Sequence, residues 1–232
     1  MCYFLLLFFL IQRNKISKEK NRSDELLLNI LPSEVAIELK NKGAADAKQF
    51  NQVTVLFTDF KNFTAVAEKL TAQELVNEIN YCYSAFDRII SKYGIEKIKT
   101  IGDAYMCAGG IPVPNNTNAI DIVLAALEIR DFMLNEKQKR ELSGAAFFEI
   151  RIGCHTGHVV AGIVGIKKFA YDIRGDTVNI ASRMESSGES GKVNISGITF
   201  ELVKGRFSCT YRGKVQAKNK GEIDMYFADT LL

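Results

Sequence analysis

The 232-residue chain has no apolar run long enough to cross a bilayer as a helix, which takes ~20 residues. A multi-span membrane protein is thereby excluded. An excess of one charge is also missing. Lys and Arg number 30 against 27 Asp and Glu, so the basic footprint of a nucleic-acid-binding protein is absent. Cysteine is sparse and unpatterned. Cys2, Cys82, Cys107, Cys154 and Cys209 are odd in number and form no C-x-x-C pair, which argues for reduced, mostly buried thiols of a cytosolic domain. Histidine occurs only at His155 and His158, and a zinc site needs about two more ligands than these. No internal repeat or long low-complexity stretch interrupts the chain. With 47% hydrophobic residues, it builds a packed core and is not a disordered protein.

The amino terminus is the exception to this ordinary composition. Met1 to Ile11 contains no polar residue apart from Cys2 and Tyr3, and Arg13, Lys15, Lys18, Lys20 and Arg22 follow it against the single acid Glu19. Lys and Arg just past an apolar stretch mark the cytoplasmic side of a membrane segment. A signal peptide has its basic residues before the apolar run and a small-residue cleavage site after it, and neither is present here. Residues 1–11 are therefore expected to be the end of a transmembrane helix, ahead of a spurious start of the reading frame and of a short surface anchor. Residues 12–48 form a basic juxtamembrane and helical linker, and 49–232 a catalytic domain. Within the linker, Leu26, Leu27, Ile30 and Leu31 have helical spacing up to Pro32, which ends that helix. Ser33 to Lys42 predicts a second helix with Val35, Ala36 and Leu39 on one face and Gly43 as its stop.

From Gln49 strands and helices alternate. Val53–Phe57 reads as a buried strand and Thr71–Lys92 as a helix, with Leu75, Ile79, Cys82, Phe86 and Ile89 or Ile90 inward. Glu96–Ile101 and Ala104–Ala108 form a hairpin across Gly102-Asp103. Asn116–Arg140 is a second helix, with Ile120, Val123, Leu124, Leu127 and Phe132 inward. Phe147–His155 and Val159–Val164 read as a strand pair turning at Thr156-Gly157. Thr177–Ser186 and Gly197–Val203 are helices around the strand Val193–Ile195, and Ser208–Gln216 with Met225–Ala228 makes a closing hairpin. This order predicts an α+β fold, a ferredoxin-like βαββαβ sandwich with a mostly antiparallel sheet and extra C-terminal elements. Helices are expected on one face of that sheet.

Two acids occupy special places. Asp59 follows the first strand, and Asp103 sits at the hairpin tip. Neighbouring strands would bring the carboxylates to one sheet edge, where they repel unless a cation lies between them. Hard oxygen ligands of this kind suit Mg²⁺ or Mn²⁺, which also coordinate substrate phosphates. Two unrelated turns, each with the Asp that turns favour, remain the alternative. Past Asp59, the stretch Phe60-Lys-Asn-Phe-Thr64 opens a helix, and the free N–H groups near Asn62, Phe63 and Thr64 can face anions. Lys99 can donate to a purine ring nitrogen, and Asp172 can accept from an exocyclic amine. That is the adenine pattern, reversed in guanine. Asn179 and Arg183 share one helix face four residues apart, an amide suited to a ribose and a guanidinium suited to charge growing on phosphorus.

Three segments carry a wider resemblance. They are Val55-Leu-Phe-Thr-Asp-Phe-Lys-Asn-Phe-Thr64, Glu96-Lys-Ile-Lys-Thr-Ile-Gly-Asp-Ala-Tyr-Met106 and Tyr171-Asp-Ile-Arg-Gly-Asp-Thr-Val-Asn-Ile-Ala-Ser-Arg183. Together they resemble the class III nucleotidyl cyclases, over about Val53 to Phe227. The resemblance implies that Asp59, Asp103 and the backbone carbonyl of Phe60 hold two divalent metals. It makes Lys99 and Asp172 the base-selecting pair, here of the adenylyl type, whereas guanylyl members carry a Glu and a small residue such as Cys. Asn179 would orient the ribose and Arg183 would stabilise the transition state. Arg151 would bind phosphate, and Lys218, or Lys220 in its place, the terminal phosphate.

The activity implied by this resemblance is that of an adenylate cyclase, a phosphorus–oxygen lyase that converts ATP to 3′,5′-cyclic AMP and pyrophosphate. Its partners would be ATP, a second copy of the chain in a homodimer with shared sites, and a membrane reached through the apolar segment, with the catalytic domain cytoplasmic. A guanylate cyclase is the alternative, followed by a non-catalytic nucleotide-sensing dimerisation module, which would normally lack one of the metal acids or the arginine. Two positions depart from the family pattern: Arg174, often Trp, and His158, often small or Pro. Both are read as packing or interface variation.

Overall fold

The computed structural model describes residues 2–143, 146–165, 169–217 and 221–232. The chain divides into two compact units, Met1–Ala47 with Gly162–Tyr171, and Lys48–Ala161 with Asp172–Leu232.

In the smaller unit, helix α1 (Cys2–Leu28) runs unbroken through the basic cluster and joins the two stretches expected to be helical, 1–11 and 23–31. The polar stretch is rich in Lys, Glu and Arg, residues of good helix propensity, so it continues the helix without an apolar stripe. Among the described residues, no helix is long and apolar enough to cross a membrane. Helix α2 (Ser33–Lys42) has the predicted bounds, and Gly43 at φ 72° closes it with its N–H on the Leu39 carbonyl. Lys40 Nζ pairs with Asp24 at 2.7 Å, tying α2 to α1.

The larger unit is built on strand β1 (Lys48–Lys61), flanked by β3 (Ala104–Gly109) and the long β4 (Glu149–Val164), both antiparallel to it. Strand β2 (Glu96–Ile101) pairs with β3 at one edge. The order β2-β3-β1-β4 is that of the ferredoxin-like motif. The sheet continues through β6 (Val193–Ser196), β8 (Gly221–Leu231) and β7 (Phe207–Ala217), while β5 (Ala170–Arg174) pairs separately with β4. Along the path from β2 to β7, β4–β6 is parallel and the other pairings are antiparallel.

Helix α4 (Ala72–Lys92) follows the short α3 (Phe63–Ala67) and starts at a capping box. The Thr71 hydroxyl accepts from the Glu74 N–H, and the Glu74 carboxylate accepts from the Thr71 N–H at 2.8 Å. Its apolar face buries Cys82, Tyr83, Phe86, Ile89 and Ile90 against β1 and β3 residues Leu56, Phe60, Tyr105 and Cys107. Helix α5 (Asn118–Ser143) joins the same layer. Its buried stripe includes the expected Val123 and Leu127 with Ile122, Ala125, Ala126, Ile129 and Met133, while the expected Ile120, Leu124 and Phe132 are only partly buried. The stripe turns because α5 meets the sheet and α4 together, and small alanines let the backbones approach. Arg140 to Glu78 at 2.7 Å and a Lys92–Glu128 pair join the two helices at their rims.

Helix α6 (Asp176–Ser186) lies on the opposite face, adding to the single helical layer expected. Ile152 and Cys154 point into the α4–α5 core, so Gly153 between them faces the other way. A Cβ on Gly153 would stand 1.9 Å from the Glu185 backbone nitrogen, and one on Gly157 2.5 Å from Thr177 Oγ1. These glycines are the seat of α6. Gly157 is therefore not a turn, and it pairs with Val53 inside one continuous strand. The predicted strand pair at Thr156-Gly157 is corrected to the single β4. Helix α7 (Gly197–Val203) completes the unit.

Candidate active site

Asp59 stands beside Arg151 in the β1–β4 register, and Thr58 beside Tyr105 in the β1–β3 register. The second pairing sets Asp59 next to the hairpin tip, where Gly102 takes φ 61° and Asp103 follows. The two carboxylates thus share one sheet edge, as neighbouring strands require. Burial first, and the charge of Asp103 second, raise the Asp59 carboxyl above its ordinary range, with Arg151 opposing. Arg151 Nη2 donates to Asp59 Oδ1 at 2.9 Å. The Phe60 side chain points away into a stack with Phe148, Tyr83 and Phe63, so only its backbone can serve the site. Asn62 stands just before α3 at φ 58°, in the left-handed region, with no capping bond from its side chain, while Phe63 is half-buried on Phe60 and Thr64 is exposed.

The residues present suit a divalent cation. Two carboxylates converge with excess negative charge, and a single guanidinium answers it. Among the described residues no group of three or more His, Cys, Asp or Glu forms a closed metal cage. This is the donor set of an ion that completes its shell with water and phosphate oxygens.

A second cluster joins β2 to β5. Lys99 Nζ lies 2.8 Å from Asp172 Oδ2, and Asp172 is 6% exposed. The other Asp172 oxygen accepts the Ile173 N–H at 2.9 Å. Arg174, expected to be packing variation, places its Nη2 3.1 Å from Asp172 Oδ2 and so touches this pair directly. His158 is exposed, and its backbone carbonyl accepts from Thr177 Oγ1 at 2.6 Å.

Asn179 and Arg183 lie on the exposed side of α6, and Arg183 Nη1 donates to the Gln216 carbonyl at 3.1 Å. Residues two apart on a helix point in nearly opposite directions. Arg183 faces out, whereas Glu185 faces the sheet and receives Arg151 Nε at 2.8 Å. One chain therefore gathers Asp59, Asp103 and Arg151, gathers Lys99 with Asp172, and turns Asn179 and Arg183 away from the acid pair. Lys218 and Lys220 lie outside the described residues.

Glu185 is the residue that sequence reasoning missed. It is 6% exposed, and burial pushes its carboxyl up to about 7 while Arg151 pulls it down. The signal was a carboxylate within the stripe Thr177, Ile180, Ala181 and Met184, which is otherwise apolar or small. A buried acid there needs a cationic partner.

Comparison with known proteins agrees with this architecture. Residues 45–230 match the family described as the Adenylate and Guanylate cyclase catalytic domain, and the chain belongs to this class III cyclase family. It is 40% identical over 222 residues to human Guanylyl cyclase C, covering 93% of this chain and 20% of that protein. The chain spans less than a third of the length of these curated relatives, 31% of the rat Guanylate cyclase soluble subunit beta-2 and 18% of the Drosophila Guanylate cyclase 32E. Its fold is similar to that of the adenylyl cyclase CyaB from P. aeruginosa, with a TM-score of 0.75 and 29% identity over 80% of this chain and 96% of that one. It is also similar to the catalytic core of a rhodopsin-guanylyl cyclase with converted specificity in complex with ATPalphaS. There the TM-score is 0.73 at 32% identity, over 80% of this chain and 98% of that one.

Proposed function

We propose that residues 49–232 form an adenylate cyclase domain that converts ATP to 3′,5′-cyclic AMP and pyrophosphate. The observation that carries this reading is the Lys99–Asp172 pair at 2.8 Å. The ammonium has three donors and spends one on Asp172. It keeps donors for adenine N1, and the carboxylate keeps a lone pair for the N6 amine. Guanine would set its own N–H against Lys99 and its carbonyl oxygen against Asp172. Leaving both polar groups unsatisfied costs about 1–3 kcal/mol each.

In the reaction the ribose 3′-oxygen attacks the α-phosphorus, the bond to the bridging oxygen of pyrophosphate breaks, and the hydroxyl proton passes to solvent. Asp59, Asp103 and the Phe60 carbonyl would hold two Mg²⁺ or Mn²⁺ ions, which acidify the 3′-hydroxyl and neutralise the leaving group. Arg151 and Lys218 would hold phosphate oxygens, with the backbone from Asn62 to Thr64 alongside. Asn179 would fix the ribose for in-line attack. Arg183 would stabilise charge growing on the α-phosphate, an effect of about 3 kcal/mol.

The opposed directions of Glu185 and Arg183 support a site shared across a homodimer. Asp59, Asp103 and Arg151 would come from one subunit, and Lys99, Asp172, Asn179, Arg183 and Lys218 from the second. The apolar run 1–11 and its basic follower support a membrane tether, with 12–48 as the linker and the catalytic domain on the cytoplasmic side. Holding two domains side by side raises their effective concentration.

Guanylate cyclase is the second reading, favoured by the names of the relatives in sequence. Steady-state kcat/KM for ATP and GTP, each with Mg²⁺ and Mn²⁺, separates the two. ATP is expected to be preferred, and a GTP preference rejects adenine selection by Lys99 and Asp172.

A further inference from the structure

Arg151 has two carboxylate partners of different character. Asp59 takes its Nη2 at 2.9 Å and is 24% exposed by side chain, at the sheet edge beside Asp103. Glu185 takes its Nε at 2.8 Å and is 8% exposed, on the sheet-facing side of a helix whose backbone is seated on Gly153. A nucleotide phosphate can reach Arg151 from the Asp59 side but cannot reach Glu185 without lifting α6.

We propose that Glu185 is a positioning residue for Arg151, holding the guanidinium in place while Asp59 is handed from the arginine to a divalent cation. This role rests on the proposed metal-binding function of Asp59 and phosphate-binding function of Arg151. Its physical basis is the fixed fork of the arginine side chain, whose N–H donors point in set directions. With Asp59 as its sole anionic partner, the fork would close on that carboxylate with two parallel hydrogen bonds, the strong arrangement for Arg and carboxylate. It would then compete with a cation for the same oxygens. Glu185 occupies the Nε edge and turns the fork so that Nη2 alone touches Asp59. When the Asp59 contact is released, Nε stays anchored and Nη2 faces the position of a substrate phosphate.

The test is Mn²⁺ binding to the full chain without nucleotide at pH 8, read from the free-ion electron paramagnetic resonance signal. Four proteins are compared: wild type, Glu185→Gln, Arg151→Met and the double variant. Circular dichroism checks that each is folded, and Glu185→Met, of similar volume, stands in if Glu185→Gln is not. Glu185→Gln is expected to weaken Mn²⁺ binding about fivefold or more relative to wild type. In the Arg151→Met background the same change is expected to have no effect, the non-additivity of residues acting as a unit. Unchanged affinity in Glu185→Gln overturns the proposal. So does an equal loss in both backgrounds, which would mean a through-space effect of the Glu185 charge alone. An Asp59→Asn control keeps the two levels apart. If it binds Mn²⁺ as well as wild type does, the site assignment itself fails. If it loses Mn²⁺ while Glu185→Gln does not, the Glu185 role alone is wrong.

Discussion

Lys99 and Asp172 are 73 residues apart in the chain, yet the lysine ammonium donates to the buried carboxylate at 2.8 Å. The edge strand β2 and the short β5 meet at this contact. It places a donor and an acceptor side by side where a purine edge could read both.

A substitution of that pair is the first prediction. Lys99→Glu with Asp172→Cys, the residue types of guanylyl members, reverses the donor and removes the acceptor. The kcat/KM ratio of ATP to GTP is expected to fall by about two orders of magnitude, from two mismatched polar contacts of about 1–3 kcal/mol each. Either single change is expected to lower ATP turnover without creating good GTP turnover. Product assays with each nucleotide decide it.

The shared-site arrangement predicts complementation. Asp59→Ala and Arg183→Ala are each expected to be inactive alone, because every site in either homodimer lacks one group. Mixed after dissociation, half of the dimers pair unlike chains, and each of those holds one intact site. About a quarter of wild-type activity is therefore expected from the mixture. Activity that stays at the level of the single variants contradicts the shared site.

Close packing of α6 gives a stability prediction. Gly153→Ala would push a methyl group to 1.9 Å from the Glu185 backbone nitrogen, where no flexible side chain can yield. A loss of about 3 kcal/mol is expected, the upper end of overpacking costs, read as a lower urea midpoint. Activity should fall as well, because α6 carries Asn179 and Arg183.

Much of this architecture is legible in the sequence wherever the signals are local. The Gly102-Asp103 hairpin and the stops at Gly43 and Pro32 each lie within a few residues of the element they define. The convergence of Asp59 and Asp103 is readable because the hairpin and its neighbouring strand form one compact motif. The features that escape sequence reading are non-local. Gly157 looks like a turn until the Thr177 hydroxyl packs over it, and then it reads as the small residue that a helix requires. Glu185 looks like surface charge near a helix end until Arg151 arrives from a strand 34 residues earlier. Arg174 is the local exception: it stands two residues from Asp172 on one strand, so the alternation of β5 already sets both on the same face.

Thiol chemistry offers a check on the core. Burial pushes Cys82 up to about 12 and raises Cys107 and Cys154 well above the ordinary thiol range, while Cys209 is half-buried and less shielded. At pH 8 Cys209 is expected to react with iodoacetamide ahead of these three, since the thiolate is the nucleophile. Peptide mapping by mass spectrometry reads the order, and early labelling of Cys107 or Cys154 would contradict the packing of β3 and β4.

Selection of adenine and cyclisation of ATP are best tested together in one reaction. It contains ATP and GTP at equal concentration with Mn²⁺, and the products are separated and quantified by mass spectrometry over a range of protein concentrations. Cyclic AMP is expected to predominate, with specific activity rising with protein concentration as dimers form. Predominant cyclic GMP would contradict adenine selection by Lys99 and Asp172.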